Sequence, residues 1–226
     1  MTAVALLLAL SATAACSGAV SPVAPSPGID SRTPSDTTPQ ATPSTPGPGE
    51  TRPGIRLTAV PRPDGSFDVT EDVMLPQATG ILQLQLPASG EHLPGMMSRT
   101  TPIVTNLKVL ADGTSVPLQN TTVTGADYLP LTTAATRIRM TYRLSGSVVL
   151  ATPSESQRAG AALRPLAGIT EGTLPTNVAV TTGLLNAVCP LLTEPRCAVG
   201  DPPRLSIQSG IPANKALVVL QLDLPR

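Results

Sequence analysis

Downstream of residue 54 the chain runs in short apolar and polar alternations punctuated by Gly and Pro. Residues 55–60 (IRLTAV) alternate, Asp64-Gly65 marks a turn, and residues 66–75 (SFDVTEDVML) continue with an imperfect alternation. Residues 80–86, 103–111 and 116–123 read as further strands, with Asp112-Gly113 as a hairpin turn between the last two. The clearest pattern lies in residues 136–144. There Ile138, Met140, Tyr142 and Leu144 share one face, and Arg137, Arg139, Thr141 and Arg143 share the other, which is the period of a half-buried strand. Gly146 and residues 147–152 (SVVLAT) follow as its expected hairpin partner, and residues 204–209 and 215–224 supply the last strands. One stretch favours helix: the polar turn at 153–157 leads into RAGAAL, which predicts a short helix over about 155–163, limited by Pro165 and Gly168. Residues 178–192 fit either a strand or a short helix. So many strands with so little helix predict a mainly β fold, a single β-sandwich domain over residues 54–226.

Before that domain the periodicity vanishes. Residues 17–53 carry prolines at 22, 25, 27, 34, 39, 43, 46, 48 and 53, separated mostly by Ser, Thr, Gly and Ala. Such a segment has no face to bury and cannot repay the entropy of ordering, so a disordered tether is expected over residues 16–53. Polyproline II geometry, at about 3.1 Å per residue, gives it a reach on the order of 100 Å.

The first residues form a different unit. Val4 to Leu10 are apolar, small residues follow, and Ala14 and Ala15 directly precede Cys16. The apolar window is too short to span a bilayer, which needs about 20 residues, and reads as a secretion signal over residues 1–15. The Ala-Ala-Cys step resembles the lipobox of bacterial lipoproteins, although Thr13 stands where Leu is usual and no Lys or Arg precedes Arg32. The resemblance implies lipidation of Cys16, a cell-membrane anchor on the extracytoplasmic face, and membrane lipid as a partner. An ordinary cleaved signal peptide is the alternative. The Ala, Gly, Pro, Thr and Arg bias suits a GC-rich, actinobacterial-type source. The stretch holding Asp64, Gly65, Ser66, Val69 and Glu71 also resembles the opening of the N-terminal extracellular β-domain of a family of predicted bacterial membrane proteins, which implies an extracytoplasmic β-sandwich and no particular activity.

Composition narrows the chemistry. Phe67, Tyr128 and Tyr142 are the whole aromatic complement, and Trp is absent, so the core must be aliphatic and sugar-stacking platforms are disfavoured. Fifteen basic and fifteen acidic residues balance, which gives no support for nucleic-acid binding. Besides Cys16 there are two cysteines, Cys189 and Cys197, with seven residues between them that include Pro190 and Pro195. In an exported chain such a pair is expected to form a disulfide, whereas a redox or zinc site would favour closer spacing or more ligands.

Candidate chemistry is sparse. His92, the sole histidine, sits near Met96 and Met97, a set that could hold copper but reads more simply as a loop with core filler. Asp64, Asp68, Glu71 and Asp72 could supply a glycosidase-like pair, and solvated surface acids are the plainer account. The row Arg137, Arg139 and Arg143 is a possible contact for anionic surface polymers or lipid headgroups. Its alternative is a solvated face that protects a strand edge. No cofactor, metal or catalytic residue is expected. The functional expectation is a lipid-anchored envelope protein with a non-catalytic structural or binding domain, whose partner is an envelope polymer, lipid or protein. The alternative is a carrier or chaperone of a lipid or other apolar ligand. An enzyme would require Ser, Asp or Glu to converge with His92 in a cleft.

Overall fold

The computed structural model describes residues 47–151, 157–168 and 174–226. The expected signal segment, Cys16, most of the expected tether and the start of the expected helix lie outside the described residues. Within them the protein is mainly β. A large antiparallel core pairs β1 (Gly54–Pro61), β2 (Phe67–Leu84), β5 (Asp127–Ser145) and β3 (Ile103–Ala111). With β4 (Thr114–Ser115), β8 (Pro175–Val180) and β12 (Ile211–Pro212) it forms a seven-stranded sheet in the order β12-β8-β1-β2-β5-β3-β4, in which β8 runs parallel to β1. A second sheet has the order β6-β7-β13-β9, from β6 (Val148–Leu150), β7 (Arg158–Leu163), β9 (Leu184–Val188) and β13 (Val218–Asp223). The short strands β10 (Ala198–Val199) and β11 (Ser206–Ile207) pair with each other.

The predicted alternation sets the large sheet's faces. Leu57, Val69, Val73, Met140 and Leu144 turn inward, and they join Ala161, Leu163, Leu220 and Leu222 of the second sheet in one buried cluster. A smaller cluster covers the other side of the second sheet, where Leu93 and Met96 pack on Ala162, Leu217 and Val219. β13 is therefore apolar on both sides, which explains the unbroken run Leu217–Leu220.

Three expectations change. Residues 158–163 are strand, not helix: β7 pairs residue for residue with β13 and also with β6, and burying Ala159, Ala161 and Leu163 on one side overrides the helical bias of RAGAAL. Residues 147–152 are not the hairpin partner of β5. At Gly146 (φ 67°) the chain leaves the large sheet and enters the second one, and a Cβ there would lie 2.1 Å from the Thr101 carbonyl oxygen. Residues 116–123 return beside β3 only in part, through the bond from Val116 N–H to the Val109 carbonyl, the Val104–Val123 bridge and the bond from Leu107 N–H to the Thr121 carbonyl. The ambiguous segment 178–192 contributes to β8 and β9.

Candidate functional site

The outward face of the large sheet gathers most of the polar chemistry. Register places Arg56, Asp72, Arg139 and Leu110 in one row across β1, β2, β5 and β3, and Asp68 beside Arg143 in a row further along. Arg139 Nε donates to Asp72 Oδ1 at 2.6 Å, and this carboxylate raises the guanidinium's affinity for its proton. Arg62 and Arg143 both hold Asp68, at 2.7 and 3.1 Å. Burial pulls the Asp68 carboxyl up, but the two guanidinium bonds outweigh it and keep it below the usual range. Arg56 binds Glu50. At the β1–β2 turn Asp64 accepts bonds from the Ser66 hydroxyl and amide, which hold its carboxyl low.

The three arginines singled out by periodicity thus share a face but not a state. Arg139 and Arg143 are committed to acids on β2, whereas Arg137 has no carboxylate within ion-pair distance among the described residues. Their strand lies between β2 and β3, so they do not guard a sheet edge. Because Arg139 is more than half exposed, its pair with Asp72 is expected to couple by no more than about 1 kcal/mol and to weaken in high salt. A double-mutant cycle in urea at two salt concentrations measures this, and a coupling several times larger would contradict it.

Glu71 is the exception to the acids' surface character. Asp68 and Asp72 face outward, so Glu71 faces inward, in step with Val69 and Val73, and it is completely buried. It is not a solvated acid. Its Oε2 accepts bonds from the Leu166 amide at 2.7 Å and the Tyr142 hydroxyl at 3.1 Å, and its Oε1 from the Ala167 amide at 3.0 Å. Burial pushes the Glu71 carboxyl up to about 7 against the opposing pull of these three donors. Burial and the facing carboxylate also push the Tyr142 hydroxyl well above its usual value. The two amides that Glu71 binds belong to the segment leaving β7, and the hydroxyl belongs to Tyr142 on β5. That segment is also tied to the end of β2 and the residue after it: Gln85 N–H donates to the Leu166 carbonyl and Gly168 N–H to the Gln83 carbonyl, at 2.8 and 2.7 Å. Glu71 is a structural pin, out of reach of any substrate in solvent.

His92 does not join a metal set. Its side chain is three-quarters exposed beside Glu91, Met96 is buried in the smaller cluster, and Met97 is exposed. Cys189 and Cys197 form a disulfide, with Cα atoms 5.8 Å apart and both residues buried in the main cluster. Pro190 and Pro195 lie in the loop they close, and the bond from Cys189 N–H to the Pro195 carbonyl at 2.7 Å draws its ends together.

A cleft of about 310 Å³ opens on the outward face. Its floor is Asp72, Val73, Ile138 and Arg139. One wall is the turn holding Gly49 and Glu50, which packs so closely that a Cβ on Gly49 (φ 86°) would meet the Asp72 carbonyl oxygen at 2.5 Å. The other wall is Leu110 and Gly113, with Arg137 beside them. Asp112 clamps this hairpin tip onto β5: its amide donates to the Arg137 carbonyl at 2.7 Å, and its Oδ1 accepts the Arg137 amide at 2.8 Å. Periodicity revealed the arginines but not the cleft, which needs the turn at 47–52 folded against β1 and β2. The sequence had placed those residues in the tether.

No protein-family model matches the chain, and no curated protein does. Among solved structures, the chain is similar to a mutant M1 zinc metallopeptidase from Deinococcus radiodurans bound to a Tyr-Ser-Ala substrate. The two are 18% identical, the match covers 75% of this chain and 41% of that one, and the TM-score is 0.29. The chain thus spans well under half of that peptidase, and a likeness this distant carries no argument about fold or activity.

Proposed function

We propose that this protein is a lipid-anchored component of the extracytoplasmic cell envelope, and that its β-domain, with the two sheets packed as a sandwich, serves as a non-catalytic structural or binding module. One observation carries the reading. Cys189 and Cys197 are joined inside the core, as suits an oxidising compartment, and the only other cysteine is Cys16, at the end of a signal-like segment. Two acyl chains on Cys16 would give the durable attachment that a single chain does not. The cleft on the outward face is open and charged, which suits surface recognition better than carriage of an apolar ligand.

Intact-mass measurement of the membrane fraction tests this. The wild-type chain is expected to begin at Cys16 with a diacylglyceryl adduct and to gain two protons on reduction. Cys16→Ser is expected to lose the adduct and to leave the membrane fraction. Recovery of an unlipidated, soluble wild-type chain would refute the anchor.

A further inference from the structure

We propose that the cleft between the turn at Gly49–Glu50 and the hairpin tip at Gly113 binds the anionic group of a hydroxyl-bearing ligand, a uronic acid or a polyol phosphate, through Arg137 and the Nη atoms of Arg139. This deepens the binding-module reading and rests on it.

Arg137 lines the cleft without an acidic partner among the described residues. Arg139 meets Asp72 through Nε, which leaves its two Nη atoms without a hydrogen-bond partner among the described residues. Two guanidinium groups two residues apart on one strand face offer the forked donors that carboxylate and phosphate oxygens accept best. Acceptors are present beside them. Glu50 and Asp72 each use one oxygen on an arginine, and the second oxygen of each is left to accept ligand hydroxyls. An anion alone would meet those carboxylates unfavourably, whereas an anion that also bears hydroxyls uses both signs of charge.

The site is built before a ligand arrives. Asp112 holds the Arg137 backbone from both sides, and Gly49 lets the opposite wall close to within contact of β2. The space beside Gly113 is unfilled, and the cleft volume of about 310 Å³ is at the lower limit of small-molecule sites. Among the described residues no aromatic side chain lines it, so recognition rests on charge and hydroxyl contacts rather than stacking.

NMR titration of the full-length Cys16→Ser chain tests the proposal, with glucuronate, glycerol 3-phosphate and neutral glucose as probes at constant ionic strength. The charged probes are expected to give saturable shifts at millimolar concentration, centred on Gly49, Gly113, Arg137 and Arg139, and glucose is expected to give none. Arg137→Ala is expected to weaken binding about tenfold or more, the scale of a lost hydrogen bond to a charged group. Arg158→Ala, which removes one cation from the second sheet, should bind as the parent does. Tighter glucuronate binding assigns a uronic acid, and tighter glycerol 3-phosphate binding a polyol phosphate. Equal response to glucose, no saturation, or unchanged affinity in a folded Arg137→Ala chain would overturn the proposal. Lipidation of Cys16 is read separately by mass, so failure of the anchor and failure of the cleft are distinguishable.

Discussion

Glu71→Ala is expected to lower the unfolding free energy by about 3–5 kcal/mol, because it strands two buried amides and a buried hydroxyl, each costing about 1–3 kcal/mol when unpaired. Urea denaturation followed by circular dichroism measures the loss. A change below about 1 kcal/mol would mean that Leu166, Ala167 and Tyr142 find other partners. The same carboxyl gives stability a pH dependence of definite sign. Its folded-state value, about 7, lies above its ordinary 4.5, so the folded protein holds this proton more tightly than the unfolded chain. The contribution is fully present below about pH 4.5 and is lost as pH rises through 7, an effect of about 3 kcal/mol. Asp72 carries the neighbouring negative charge and adds to it. On protonation the Tyr142 hydroxyl oxygen can accept the Glu71 proton, so the bond between these two side chains is kept in both states.

Asp64 and Asp68 act in the opposite sense. Their depressed values give stability that is present above 3.8 and lost as pH falls through the folded values, outside the Glu71 window. Glu71→Gln should therefore flatten the profile between pH 4.5 and 8 while keeping its acid limb. The amide is less stable than the protonated acid, because its NH₂ must face one of the two backbone amides. A wild-type slope surviving unchanged in Glu71→Gln would sink the assignment.

The second large effect belongs to the disulfide. Opening it in a Cys189→Ala/Cys197→Ala chain is expected to cost about 2–3 kcal/mol from the released loop entropy. Both positions are fully buried, so the smaller side chains add a packing loss on the same scale as other core truncations. Serine in place of alanine should be worse, since each hydroxyl would be buried among aliphatic side chains. Thermal melts with and without reductant check this. Wild type should fall toward the variant on reduction, and the variant should not respond. Equal melting of oxidised and reduced wild type would show that the loop at 189–197 is held by its backbone bonds alone.

Much of the large sheet was legible, and one misreading there is instructive. The alternation in residues 66–75 looked imperfect because Glu71 stands in the apolar register with Val69 and Val73. The register was sound, and the apparent defect is the buried pin. An acid in phase with a strand's apolar residues was the available signal, but its three donors come from β5 and from a segment some 95 residues away, which no local pattern reveals. β7 failed for a related reason. Alanine favours helix locally, and only pairing with β13 and β6 makes it strand. The break after β5 was also hidden, because Gly146 marks a turn in sequence but only packing decides whether the next strand pairs back or crosses to a second sheet.

By itself the sequence determined the mainly β character, the inward and outward faces of β1, β2 and β5, the turns at 64–65 and 112–113, and the pairing of the last two cysteines. All of these follow from period-two patterning, turn chemistry and short chain separation, which are local. Tertiary structure alone decided which strands meet, that Glu71 is buried while Asp68 and Asp72 are paired outside, and that Arg137 is the row's one arginine without an acidic partner among the described residues. Those outcomes depend on contacts between segments far apart in the chain, where packing and register choose among partners that local patterns leave equivalent.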